Sequence, residues 1–133
     1  MYLREFDKDV QKKYLDLAYT LLVADGNEIS RIEQKAIEAY QFELSVDTLQ
    51  AKKIDYEQIA NELLYLSISE KRKLFFELLA LALVDKEYSS GEQKLIKYLS
   101  EKWNISSDEI CEMKSVIEQQ MNLYERINHL LYA

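Results

Sequence analysis

Residues 74–84 read LFFELLALALV, an apolar run in which Glu77 is the one charged residue. The run is eleven residues long, whereas a helix needs roughly 20 apolar residues to cross a bilayer. A helix that is apolar on all sides is typical of one that other helices surround. We therefore predict a helix over about residues 70–86, opened by Ser69, at the centre of a bundle and not in a membrane.

The composition of the whole chain agrees with helices around that centre. The chain has 133 residues and 15.8 kDa, with no proline and two glycines, whereas sandwiches of short strands need many turn residues. Its 48% hydrophobic content is enough for one core, and its length suits one domain. We predict a single all-α domain over residues 1–133, a compact bundle of about six to seven helices.

Start signals and apolar spacings of three to four residues place the other helices. Capping boxes of the form Ser-x-x-Glu begin at Ser30, Ser89 and Ser106, where both side chains satisfy amide groups of a first helical turn. Asp55 is a further cap, and a short helical piece is expected after Ser45. The remaining predicted helices span about residues 7–24, 31–44, 56–67, 90–103 and 107–131.

The last of these helices carries an apolar stripe that has two interpretations. The stripe fits either the core of this domain or a partner helix. Packing into the core is favoured, because the flanking charges do not follow a coiled-coil pattern. The stripe consists of Ile110, Met113, Ile117, Met121, Tyr124, Ile127 and Leu131.

Tyrosines are a further source of large apolar side chains, since the chain contains ten. Those on or beside apolar stripes are mostly expected in the core, namely Tyr14, Tyr19, Tyr40, Tyr65 and Tyr98. Candidates for an interface, where tyrosine is enriched, are Tyr2, Tyr56, Tyr124 and Tyr132.

Charge and cysteine content narrow the classes of function. Seventeen Lys and Arg against 24 Asp and Glu give a net charge of −7 and a pI near 4.8, which disfavours nucleic acid as a partner. Cys111 is the single cysteine and has no partner for an internal disulfide, so a reducing cytoplasm is the expected location. Peripheral association with a membrane stays open.

The sequence contains no catalytic or zinc motif. One cysteine and one histidine, His129, cannot complete a tetrahedral zinc site. An EF-hand loop counted from Asp25 would need glycine and glutamate where Ser30 and Ala36 stand. We therefore expect that the protein is not an enzyme, that Cys111 is an inert thiol, and that His129 is exposed.

The chain also contains an internal repeat. Residues 21–37, LLVADGNEISRIEQKAI, match residues 81–96, LALVDKEYSSGEQKLI. Each copy is an apolar helix, an aspartate, a short turn with one large apolar residue, a serine cap and Glu-Gln-Lys in the next helix. We expect two helical hairpins related by pseudo-twofold symmetry.

This doubled pattern resembles the tellurite-resistance TerB-like family, over about residues 10–103. The family is a group of bacterial all-α domains that includes the N-terminal region of the DjlA co-chaperone. The resemblance implies a bundle of about seven helices and divalent-cation binding through acids of the turns. It also implies assembly into stress-response complexes at the inner face of the membrane.

The same resemblance points to the acids of the two repeated turns as metal ligands for a cation of the Ca²⁺ or Mg²⁺ class. These acids are Asp25, Glu28 and Glu33 in the first copy and Asp85, Glu87 and Glu92 in the second. A purely structural role is the alternative, because glutamates of capping boxes and aspartates of turns satisfy backbone amides in any protein. Lys86, next to one of the aspartates, would oppose a cation.

The sequence and the resemblance together predict a non-enzymatic interaction or adaptor domain of a bacterial stress-response system, with an unidentified protein partner. We expect a monomer or a weak homodimer. The alternatives are a metal-sensing or metal-buffering domain, a co-chaperone-type protein-binding module, and a hydrolase that uses the same acids with a metal.

Overall fold

Helices account for all the regular structure in the part of the chain that the computed structural model describes, residues 2–24, 26, 29–44, 52–84 and 88–132. No strand is found among these residues, so the all-α prediction is confirmed. A 3-10 turn, η1, spans Leu3–Glu5 and was not predicted. The α-helices are α1 (Lys8–Leu22), α2 (Arg31–Leu44), α3 (Tyr56–Glu62), α4 (Ile68–Ala82), α5 (Ser90–Lys102) and α6 (Ser107–Tyr132).

Side-chain caps begin most of these helices. As predicted, the Asp55 carboxylate accepts from the amide of Glu57 at the start of α3. The Asp7 carboxylate accepts from the amide of Val10 at the start of α1, a cap that was not predicted. The predicted start of α4 was wrong by two residues. Ser67 caps α4, and with Glu70 it forms a capping box; Ser69 has the serine but lacks a glutamate three residues later.

The ends of the helices differ more from the predictions. The third helix was predicted to reach residue 67, but α3 ends at Glu62 and is followed by a turn that buries Leu63 and Leu66. The end of α5 is set by Asn104, whose φ of 57° is left-handed. That conformation lets the amide of Ile105 donate to the carbonyl of Ser100 at 2.8 Å, the bond of a Schellman motif.

The core lies where α1 and α4 meet. α4 packs against α1, α5 and α6, as predicted for a central helix, and α1 packs against α2, α3, α4 and α5. Trp103, directly after α5, is fully buried, and its indole Nε1 donates to the carbonyl of Ala60 in α3 at 3.1 Å. The centre is therefore shared by two helices and joined to α3 and α5 by one aromatic residue.

The two hairpins that the repeat predicts are present as packed pairs of helices. α1 packs against α2, and α4 packs against α5. The second helix of each pair begins with a Ser-x-x-Glu capping box. Pseudo-twofold symmetry between the pairs stays a prediction, and the expected helical piece after Ser45 lies outside the described residues.

The tyrosines divide differently from the prediction. Tyr14, Tyr40 and Tyr98 lie in or against the core and Tyr19 is half-buried, but Tyr65 is 67% exposed. It follows the short α3 on the solvent side of the turn. Among the candidates for an interface, Tyr56 packs edge-to-face on Tyr98, with ring centroids 5.6 Å apart, so this residue is part of the fold.

We expect alkaline pH to destabilise the fold through Tyr14. Its ring packs edge-to-face on Tyr40 at 5.3 Å, and burial raises the pKa of the Tyr14 phenol well above its ordinary value of 10.0. As the pH rises above 10, the Tyr14 phenol of the unfolded chain loses its proton while that of the native protein keeps it. Tyr14 should then lower the free energy of unfolding by up to about 1.4 kcal/mol per pH unit, and Tyr40, whose pKa burial also raises, should add to this decrease.

Urea titrations between pH 8 and 11 measure this slope. Tyr14→Phe should make it shallower, whereas Tyr65→Phe should leave it unchanged because Tyr65 is exposed. An equal slope in the wild type and Tyr14→Phe would contradict the assignment.

Candidate functional site

The six acids that the resemblance implies as metal ligands fall into two groups. Four of them, Asp25, Glu28, Asp85 and Glu87, lie outside the described residues. The other two, Glu33 and Glu92, are buried in the first turns of α2 and α5, with 8% and 6% of their surface exposed.

Both described glutamates act as caps of their helices. Glu33 Oε1 accepts from the amide of Ser30 at 2.9 Å, and the amide of Glu33 donates to the Ser30 hydroxyl at 3.2 Å. Glu92 and Ser89 repeat this arrangement, with both distances 3.2 Å. These two carboxylates therefore have the structural role that a capping box gives them.

The described residues do not show a fit to a metal ion. They contain no group of three or more His, Cys, Asp or Glu side chains that could hold one. Hard cations need several oxygen ligands, and Glu33 and Glu92 each use a carboxylate oxygen to bind an amide.

A buried polar pair on α1 was missed by the sequence analysis. Asp16 Oδ1 accepts from Lys12 Nζ at 2.8 Å and from the amide of Lys52 at 3.1 Å. The Thr20 hydroxyl donates to the Asp16 carbonyl at 2.7 Å and accepts from the amide of Ile54 at 3.0 Å. The pair holds residues 52–54 against α1 ahead of α3. Its signal in the sequence is two polar residues on the buried side of α1.

Glu77, the one charged residue in the apolar run of residues 74–84, makes a second set of buried polar contacts, which was not predicted. Its Oε1 accepts from the amide of Tyr2 at 3.3 Å, and its Oε2 accepts from the Tyr40 hydroxyl at 3.4 Å. The carboxylate therefore connects α4 to the start of the chain and to α2. Both buried polar clusters hold the fold together.

The second half of α6 corrects the prediction that its stripe packs into the core. Ile117 is buried and Ile110, Met113 and Met121 are half-buried, but Val116 and the apolar residues after Met121 are exposed. α6 packs against α4, and none of residues 122–132 is buried. The exposed residues, which we call the α6 face, are Val116 (52%), Leu123 (55%), Tyr124 (66%), Ile127 (43%), Leu130 (80%) and Leu131 (67%).

These six residues share one side of the helix. Val116, Leu123 and Leu130 are spaced by seven residues, and so are Tyr124 and Leu131, with Ile127 between the two rows. Side chains seven apart are two turns apart on the same face. The row at 116, 123 and 130 is the signal of this surface in the sequence.

An apolar groove lies at the base of the α6 face. It has a volume of about 430 Å³ between the end of α4 and the middle of α6. Its lining consists of Ala80, Val84, Ile117, Gln120, Met121, Tyr124 and Glu125. The groove therefore continues the apolar surface from the α6 face onto the bundle.

The charge of this region differs from that of the rest of the chain. Residues 119–132 contain one acidic residue, Glu125, and one basic residue, Arg126. Their formal charge is zero, so the remaining residues carry the whole net charge of −7. Tyr132, at the end of α6, is a second exposed aromatic side chain in this region, with 81% of its surface accessible.

The other reactive side chains of α6 are on its surface. Cys111 and His129 are both exposed, as expected for His129.

Near the start of the helix, Lys114 Nζ lies 5.3 Å above the ring of Tyr88, in an open cleft of about 450 Å³ between α5 and α6. Burial raises the pKa of the Tyr88 phenol to about 12.

In comparisons with protein-family models, curated proteins and solved structures, nothing matches this chain. Among the described residues, no helix combines the length and the apolar character that crossing a bilayer requires.

Proposed function

We propose that this chain is a non-enzymatic interaction domain that binds protein through the α6 face. The observation that supports the proposal is the exposure of Leu123, Tyr124, Leu130 and Leu131 on one side of a helix. A contiguous apolar patch of this kind costs solvation energy unless a partner covers it, and larger patches mark interaction sites. An amphipathic helix offered to a partner is a recurring mode of recognition.

The resemblance to the TerB-like family supports the finer part of the proposal. On this resemblance we propose an adaptor in a bacterial stress-response assembly, with a co-chaperone-type binding module as the alternative. The proposed location in the cytoplasm rests on the single cysteine. In either case the bundle supplies a rigid base, and α6 supplies the contact.

Matched variants of the full chain test this proposal by cross-linking in cells followed by mass spectrometry. Leu123→Glu/Leu130→Glu, the α6-face variant, adds two charges to the apolar side. Ser115→Glu/Asn122→Glu, the polar-face control, adds the same charges at exposed polar positions of the same helix. We expect partners cross-linked to the wild type and the control to be lost from the α6-face variant. An identical set of partners for all three would overturn the proposal.

Divalent-cation binding is a separate proposal that rests on the resemblance alone. If the acidic turns hold a cation, then millimolar Ca²⁺, Mg²⁺, Mn²⁺ or Zn²⁺ should stabilise chelator-treated protein. A ligand at about 100 times its Kd adds roughly 2.7 kcal/mol to the free energy of unfolding, or several degrees in Tm. The Asp25→Asn/Asp85→Asn variant should lose this increment. No shift in the wild type with any of the four ions would end the metal-sensing and metal-buffering alternatives.

A further inference from the structure

We infer that the α6 face binds a second copy of this chain, through antiparallel pairing of α6 with α6. This inference rests on the proposed function, because it names the partner of the same surface. Three observations support a second copy: the spacing of the apolar residues, the distribution of charge, and the extent of the exposed surface.

The spacing is self-complementary about Ile127. An antiparallel pair of helices with its twofold axis at that residue places Ile127 opposite Ile127 of the second copy. One row then pairs Leu123 with Leu130 of the second copy and the other pairs Tyr124 with its Leu131, because the members of each pair lie three and four residues on either side of the axis. In this register apolar residues therefore meet apolar residues in both rows.

The groove completes this register. Leu131 of the second copy lies beside Tyr124, which lines the groove together with Ala80, Val84 and Met121. The end of one α6 would thus cover the apolar surface at the base of the other. Because the pair has twofold symmetry, the end of each α6 covers the groove of the other chain. No groove is left for a third chain, so the assembly stops at a dimer.

The distribution of charge favours the antiparallel direction. Each chain carries −7, and all of it lies outside residues 119–132, so two chains that meet along the second half of α6 bring no net charge together at the contact. Antiparallel pairing keeps the two acidic bundles at opposite ends of the contact, whereas parallel pairing would place them side by side. Repulsion decays over roughly 8–10 Å at moderate salt, and residues 116–132 extend over roughly 25 Å of helix.

The exposed surface is also large enough for a weak dimer. Pairing along the α6 face would remove on the order of 1,000 Å² from water, counting both chains, which is near the lower limit of specific interfaces. A dimer of this size should exchange with monomer, so its population depends on protein concentration.

Sedimentation equilibrium of the full chain over roughly 5 to 200 µM, the range in which weak dimers dissociate, tests the inference. We expect the mass of the wild type and of Ser115→Glu/Asn122→Glu to rise from 15.8 kDa towards twice that value. Leu123→Glu/Leu130→Glu should stay at 15.8 kDa throughout, with unchanged helical circular dichroism because both residues are exposed.

Disulfide cross-linking tests the direction of pairing in a Cys111→Ser background. Oxidation of an equimolar mixture of Leu123→Cys and Leu130→Cys chains should yield mainly the mixed 123–130 dimer. Mainly 123–123 and 130–130 dimers would overturn the antiparallel register.

The results also separate this inference from the proposed function. A wild type that stays monomeric at every concentration overturns the homodimer. If the α6-face variant still loses cross-linked partners in cells, the interaction domain stands without self-pairing. If neither mass nor partners depend on the α6 face, both proposals fail.

Discussion

Replacing Trp103 by alanine should destabilise the protein by about 3–5 kcal/mol, as expected for removal of a fully buried indole that leaves a cavity. The side chain is completely buried, and its Nε1 donates to the Ala60 carbonyl at 3.1 Å. Typical domains of this size are stable by about 5–15 kcal/mol, so the variant should lose much of its stability. Urea unfolding measures this loss. Circular dichroism is the probe, because the variant lacks the single tryptophan of the chain and with it the tryptophan fluorescence.

Two controls separate the cavity from the hydrogen bond. Trp103→Phe keeps an aromatic ring but leaves the Ala60 carbonyl without its donor, for which we expect about 1–3 kcal/mol. Phe42→Ala removes an aromatic ring that is 87% exposed, for which we expect at most about 0.5 kcal/mol. If Trp103→Ala cost no more than Phe42→Ala, Trp103 would not join α3 to α5 as described.

Replacing Asp16 by alanine should destabilise the protein by about 2–3 kcal/mol, in the range measured for buried hydrogen bonds to charged groups. The carboxylate accepts from Lys12 Nζ at 2.8 Å and from the Lys52 amide at 3.1 Å. Its loss leaves both donors without this acceptor and removes the contact of Lys52 with α1, while Thr20 still binds the amide of Ile54. Urea unfolding gives the size of the effect, and hydrogen exchange at the Lys52 amide should become faster.

The same helix offers a matched control. Asp9 pairs with Lys13 at 2.9 Å with the same spacing of four residues, but the Asp9 side chain is 68% exposed. We expect Asp9→Ala to cost at most about 0.5 kcal/mol, because exposed ion pairs contribute little. Equal effects of Asp9→Ala and Asp16→Ala would show that the burial of Asp16 does not matter.

Much of the fold could be predicted because its signals are local. The capping boxes at Ser30 and Ser89 depend on residues three positions apart, and both are found where the sequence places them. The predicted start of α4 was wrong because the sequence offers two serines there, Ser67 and Ser69. Only Ser67 has a glutamate three residues later, and Ser69 lies in the first turn of the helix. That error was in reading the sequence and did not depend on tertiary structure.

The candidate site could be predicted less well. For Glu33 and Glu92, the sequence allowed either a cap or a metal ligand, and the structure shows the caps. For the α6 face, the apolar stripe allowed either a core or an interface. Whether Tyr124 and Leu131 are buried or exposed depends on whether other helices extend far enough to cover them. The sequence of α6 does not contain that information.

The sequence by itself determined the helices of this protein, their caps and its acidic charge, because each depends on residues close together in the chain or on composition alone. Only the tertiary structure decided that Asp16 and Thr20 hold residues 52–54, that Trp103 joins α5 to α3, and that half of α6 is left uncovered. Burial is a property of neighbours distant in sequence. An apolar helical face is therefore the same pattern whether this chain covers it or leaves it for another.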